Sequence, residues 1–256
     1  RAQLADPDFL NKAKVGQLDD IDYCVGCDQG CLDGFADENC PQITCLRNPA
    51  VGRELECKIV KAEKPETVLV AGAGIAGLEA AIVLQQRGHQ AIVCEASDKV
   101  GGQFLTAGEA PRKGEMKAAV IAMGKKAARL GADIRLNTPV TAELIEEIKP
   151  HTVFNAIGAT PIIPNILGKD QKFVVNSHDV LNGLATPEGN VVVIGGGLVG
   201  LEVCEYLAEK GCKVTVLEMM KECGADLGMA RKICVQESLY MSGVVQQTEV
   251  TVKEIA

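Results

Sequence analysis

The stretch that decides the fold runs from residue 67 to residue 95: TVLVAGAGIAGLEAAIVLQQRGHQAIVCE. Thr67–Ala71 is a short apolar run that ends at a glycine, the pattern of a buried strand. Ile75–Arg87 reads as a helix that stops at Gly88, and Gln90–Glu95 as a second strand. Gly72 and Gly74 stand between the first strand and the helix, and Gly77 lies in the helix's first turn. Gly72 permits the tight turn, Gly74 lets the backbone approach a pyrophosphate, and Gly77 lets the helix close on the strand. Free N–H groups and the helix dipole favour an anion at that point. Glu95 ends the second strand, 23 residues after Gly72, where a carboxylate can accept hydrogen bonds from ribose hydroxyls. Strand, turn, helix, strand and acid in that order predict a dinucleotide-binding βαβ unit.

The pattern returns 123 residues further on. Gly72, Gly74 and Gly77 recur as Gly195, Gly197 and Gly200, Gly88 as Gly211, and Glu95 as Glu218. Positions kept in register over two such units mark an internal repeat. Asn190–Ile194, Leu198–Lys210 and Lys213–Glu218 are predicted as strand, helix and strand. Leu227–Tyr240 reads as a helix, and Val244–Ile255 as a strand or hairpin. A carboxylate at Glu218 repels a 2′-phosphate and so favours NADH over NADPH. Two dinucleotide sites in one chain point to a flavin that accepts hydride from a nicotinamide.

Between the repeats, Lys113–Leu130 has helical spacing and Ala132–Leu136 is strand-like. Thr141 can cap a short helix that Pro150 ends, and Thr152–Ile157 predicts another strand. Gly101-Gly102-Gln103 follows the first acidic strand, where a loop can reach the flavin ring. A disulfide reductase would place a redox cysteine pair near this loop. Residues 96–203 contain no Cys, which excludes that chemistry here. The predicted fold class is α/β: two Rossmann-like units, the second incomplete, preceded by an irregular segment. The boundaries fall at residues 1–64, 65–168 and 169–256.

Of the eleven cysteines, five stand between residues 24 and 45. The odd count and the local cluster argue against a disulfide framework. They predict a reducing, cytoplasmic setting and a metal centre in residues 1–64, a segment with too little apolar pattern to fold by itself. Cys24-x2-Cys27-x3-Cys31 followed by one distant cysteine suits a [4Fe–4S] cluster, with three ligands on one loop and the fourth closing from afar. Zinc ribbons use two Cys-x2-Cys pairs, and only one is present. On spacing alone, Cys40 and Cys45 compete as the fourth ligand. Cys94 and Cys204 read as core residues, and His89, His151 and His178 show no ligand spacing.

Composition removes other classes. A net charge of −8 argues against nucleic-acid and anionic-membrane partners. Aromatics at 3% with no Trp leave nothing for base-stacking platforms. The most apolar stretch, Val68–Leu84, is interrupted by Glu79 and three glycines, so no membrane span is predicted.

Taken together, Arg1-Ala-Gln-Leu-Ala-Asp-Pro, Cys24-Val-Gly-Cys-Asp-Gln-Gly-Cys-Leu, Cys45-Leu-Arg-Asn-Pro, both glycine turns and Gly101-Gly-Gln-Phe carry a resemblance over essentially the whole chain. The chain resembles the C-terminal half of the iron–sulfur flavoproteins that include 2,4-dienoyl-CoA reductase, enoate reductase and trimethylamine dehydrogenase. The resemblance implies a cluster on Cys24, Cys27, Cys31 and Cys45. It implies FAD on the Gly72–Glu95 unit, aided by Gly102 and Gln103, and NADH on the Gly195–Glu218 unit. In that family an N-terminal barrel holds FMN, which reduces an enoate or enoyl-CoA, and a return segment completes the FAD fold. Neither is expected within these residues, and no side chain here is expected to act as a catalytic acid or base. Two other readings are a diaphorase-like subunit serving another partner and a zinc-stapled nucleotide-binding module.

Overall fold

The computed structural model describes residues 1–36 and 42–256. It divides into two compact units, Arg1–Gly108 with Glu115–Ala159, and Glu109–Gly114 with Thr160–Ala256.

In the first unit the N-terminal part is not wholly irregular. Short helices α1 (Ala2–Ala5) and α2 (Phe9–Lys14) lead to a 3-10 turn at Leu18–Asp20. A π turn at Gln29–Asp33 then runs into α3 (Gly34–Ala36). These elements have no apolar stripe to announce them, and polar ties hold them. Asp6 is 3% exposed. Its carboxylate accepts from Lys12 Nζ at 2.6 Å, the Asp22 N–H at 2.9 Å and the Asp8 N–H at 3.0 Å. Asn48 Nδ2 donates to the Leu4 carbonyl at 2.9 Å.

The nucleotide fold of this unit follows as β1 (Thr67–Ala71), α4 (Ile75–Arg87), β2 (Gln90–Cys94) and α5 (Gln103–Ala107). It continues with α6 (Gly114–Arg129), β3 (Asp133–Arg135), α7 (Ala142–Ile148) and β4 (Thr152–Asn155). The four strands form a parallel sheet in the order β3-β2-β1-β4. Side chains alternate across it, as the strand period requires. Val70 and Val93 face Leu78, Val120 and Met123, while Leu69, Ile92 and Cys94 face Leu144, Ile145 and Ile148. Thr141 Oγ1 accepts the Leu144 N–H at 3.3 Å, the expected cap of α7. Asp22 to Lys126 at 2.6 Å, Asp20 to Arg129, and the Ala62 N–H to the Arg87 carbonyl at 2.8 Å tie the N-terminal part to α6 and α4.

The second unit contains α8 (Ser177–Leu181), β5 (Asn190–Ile194), α9 (Leu198–Glu209), β6 (Lys213–Leu217), α10 (Met229–Met241) and β7 (Val245–Gln247). Its three strands are parallel, in the order β5-β6-β7. The register Asn190 to Lys213 copies Thr67 to Gln90 in the first unit. The predicted strand or hairpin over Val244–Ile255 shortens to β7 and one isolated bridge between Leu167 and Glu254. Residues 109–114 bring Arg112 and Lys113 to α9. Arg112 meets Glu205 at 2.5 Å and Glu209 at 2.8 Å, and Lys113 shares Glu202 with Arg231.

Candidate cofactor sites

The two glycine turns are built alike. Gly72 and Gly195 are left-handed, with φ of 101° and 100°. A Cβ at Gly77 would run into the Gly72 carbonyl oxygen, and one at Gly200 into the Gly195 carbonyl oxygen. A Cβ at Gly74 or Gly197 would meet nothing within 4 Å. The third glycine of each turn therefore serves packing, and the second opens a space before the helix. Gly74 and Gly197 are the N-caps of α4 and α9, and neither helix end has a side-chain cap. Uncapped N–H groups facing an open space fit a pyrophosphate.

Each acidic residue is fastened to its own turn. Glu95 Oε2 accepts the Ala73 N–H at 2.8 Å, while Oε1 accepts the Ser97 N–H and hydroxyl, both at 2.8 Å. Burial alone would raise the Glu95 carboxyl, but these bonds outweigh it and hold the group below its ordinary value. Glu218 is tied to its turn in the same way, accepting the Gly196 N–H and the Met220 N–H, each at 2.7 Å. Carboxylates with lone pairs to spare are thus fixed beside both openings, in the position from which ribose hydroxyls can be held.

The Gly101–Gly102 loop packs on the first turn. The Gly101 N–H donates to the Ala73 carbonyl at 2.8 Å, and a Cβ at Gly102 would lie 3.3 Å from Gly74 Cα. Gly102 has φ 51°. This puts Gly102 against the opening of the first turn, while Gln103 Nε2 donates to the Ala159 carbonyl. The second unit has the same device, because the Gly224 N–H donates to the Gly196 carbonyl at 2.8 Å. Gly224 stands at the repeat offset from Gly101, so the sequence held the signal, although Gly224 is not among the expected site residues.

Cys24, Cys27, Cys31 and Cys45 line a single pocket, together with Arg1, Arg47 and others. Left-handed Gly26 (φ 64°) and Asp28 (φ 57°) turn the chain tightly around Cys27. The Gly26 N–H donates to Cys24 Sγ at 3.4 Å. The Thr44 N–H donates to the Gly30 carbonyl at 2.8 Å, which brings the Cys45 segment against the loop of the other three. Burial pushes the Cys27 thiol up, against a hydrogen bond from the Gln29 backbone. Among the described residues, no three or more His, Cys, Asp or Glu side chains are gathered as the shell of a single ion. Four thiols spread around one pocket fit the ligand set of a cluster. Cys40 lies outside the described residues. Cys94 and Cys204 are buried in the core, as expected for apolar packing. Among the described residues, no helix is long and apolar enough to cross a membrane.

Residues 67–256 match the family described as pyridine nucleotide-disulphide oxidoreductase, and the chain belongs to that family. It is 40% identical over 222 residues to the bilirubin reductase of Mediterraneibacter gnavus, covering 87% of this chain and 34% of that protein. It is 36% identical over 260 residues to the NADH oxidase of Thermoanaerobacter brockii, covering 100% of this chain and 40% of that one. Among solved structures, a 2-naphthoyl-CoA reductase in complex with 2-naphthoyl-CoA superposes with a TM-score of 0.94 at 33% identity, over 100% of this chain and 39% of its own. These similarities agree with the resemblance to enoate reductase-type flavoproteins read from the sequence. The α/β class with two Rossmann-like units is as expected. The chain spans about a third to two-fifths of the length of these relatives.

Proposed function

We propose that the chain is the electron-transfer part of an NADH-dependent flavoprotein oxidoreductase. Electrons would pass from NADH to FAD, then to a [4Fe–4S] cluster, and on to FMN in a barrel domain that reduces an enoate or enoyl-CoA. The observation that carries this reading is the joining, within one compact unit, of an open glycine turn with its fixed carboxylate to a four-cysteine pocket. In such an assembly the flavins and the cluster supply the redox chemistry, and the protein positions them. Gly72, Gly74, Gly77 and Glu95, with Gly102 and Gln103 alongside, would hold FAD. Gly195, Gly197, Gly200 and Glu218 would hold NADH. Cys24, Cys27, Cys31 and Cys45 would ligate the cluster.

Iron, sulfide and flavin analysis of anaerobically prepared protein, with a visible spectrum, tests the reading. About four irons and four sulfides per chain are expected. Cys31→Ser and Cys45→Ser should abolish them, and Cys40→Ser should not. Zinc in place of iron, or loss on Cys40→Ser alone, would overturn the assignment. Extracted ADP in place of FAD would correct the first nucleotide.

A further inference from the structure

Beside the cysteine pocket lies a set of charged side chains that the proposed function does not use. Arg47 lines the pocket two residues after Cys45. Its side chain is only 4% exposed. Arg47 Nη2 donates to Asp22 Oδ1 at 2.8 Å, and Nε donates to the Tyr23 carbonyl at 3.3 Å. Asp22 and Tyr23 directly precede Cys24, so one guanidinium ties the chain at the first cysteine to the chain at the last. The other oxygen of Asp22 accepts Lys126 Nζ from α6 at 2.6 Å. Glu79 of α4 lies within electrostatic reach of Lys126, Asp22 and Arg47.

We propose that Arg47 is a positioning residue that sets the reduction potential of the centre held by Cys24, Cys27, Cys31 and Cys45, with Asp22 and Lys126 fixing its charge in place; this rests on the cluster reading above. One-electron reduction makes a centre ligated by four thiolates more negative by one charge. A guanidinium held out of water beside it stabilises the reduced form more than the oxidised one. Arg1 also reaches the pocket, but it is exposed, and water screens its charge. Asp22 opposes Arg47, yet Asp22 is shared with Lys126, so it cannot cancel the guanidinium in full. The effect is therefore graded: removing Arg47 withdraws the nearby positive charge, and removing Lys126 leaves Asp22 to offset Arg47 alone. Stability by itself gives little reason to keep such a buried pair, since apolar residues of similar volume often do as well.

An EPR-monitored redox titration of the iron-loaded chain tests this without any turnover assay. Arg47→Gln should shift the midpoint to lower potential, Arg47→Lys should restore most of the shift, and Lys126→Gln should give a smaller shift in the same direction. If Arg47→Gln fails to keep iron, Lys126→Gln still decides, because it leaves both Arg47 bonds to the cysteine loop in place. A wild-type midpoint in Lys126→Gln, or in an iron-loaded Arg47→Gln, would overturn the inference and leave the cluster reading standing. Iron-free wild-type protein would remove that reading, and this inference with it.

Discussion

Within each glycine turn, two neighbouring glycines do opposite jobs, and a single methyl group separates them. A Cβ at Gly77 would strike the Gly72 carbonyl oxygen, a backbone atom that cannot swing aside. Gly77→Ala should therefore destabilise the first unit by about 3 kcal/mol, read from thermal or denaturant unfolding. Gly74 has an ordinary φ of −71° and open space before it. Gly74→Ala should fold like the wild type yet lose flavin on gel filtration; normal flavin retention would place the nucleotide elsewhere. At the second turn, Glu218 offers its charge beside the opening. Glu218→Gln keeps an acceptor and removes the charge, so the preference for NADH over NADPH should shrink about tenfold by titration. A wild-type preference for NADPH would show that Lys213 or Lys221 dominates there.

At the scale of elements, the N-terminal part depends on one buried carboxylate. Burial alone would raise Asp6, but Lys12 and the N–H groups of Asp22 and Asp8 hold it below its ordinary value of 3.8. The folded chain then binds fewer protons than the unfolded one between those two values. The contribution is full above pH 3.8 and is lost as the pH falls through the lowered folded value. Asp6→Asn should cost about 3 kcal/mol at neutral pH and progressively less in acid, measured by denaturant melts across the range. A cost independent of pH would mean that Asp6 acts through packing. This part of the molecule was also the hardest to read. β1, α4 and β5 are legible to the residue, and so is the start of α7, because period and cap are local signals: Gly88 stops α4 and Thr141 starts α7. The short helices of residues 1–36 were not, since their ties join Asp6 to Asp22 and Asp22 to Lys126 across long stretches of sequence. For the same reason the four cysteines could be seen as a group, while Arg47 beside them could not. The weak alternation after Val244 overstated β7, because only Val245–Gln247 reaches β6.

For the whole molecule, the proposed function makes the two nucleotide folds and the cysteine pocket carriers of electrons and leaves the carbon–carbon double bond to the barrel domain. A preparation limited to these 256 residues, with FAD supplied, should oxidise NADH slowly with an artificial dye. It should leave unsaturated acids and their thioesters untouched in steady-state assays. Robust reduction of such substrates without an added partner would show that the active site lies within these residues.

The buried thiols have a use of a different kind. Cys94 sits in the first unit at 1% exposure, and Cys204 and Cys223 sit in the second at 0% and 2%. Burial pushes all three thiols up, Cys204 to about 12. An alkylating reagent needs a thiolate it can reach, so each of these sulfurs waits for the structure around it to open. Their labelling rates in native buffer then time the breathing of each unit separately, and the molecule carries its own pair of stopwatches without an added dye or tag.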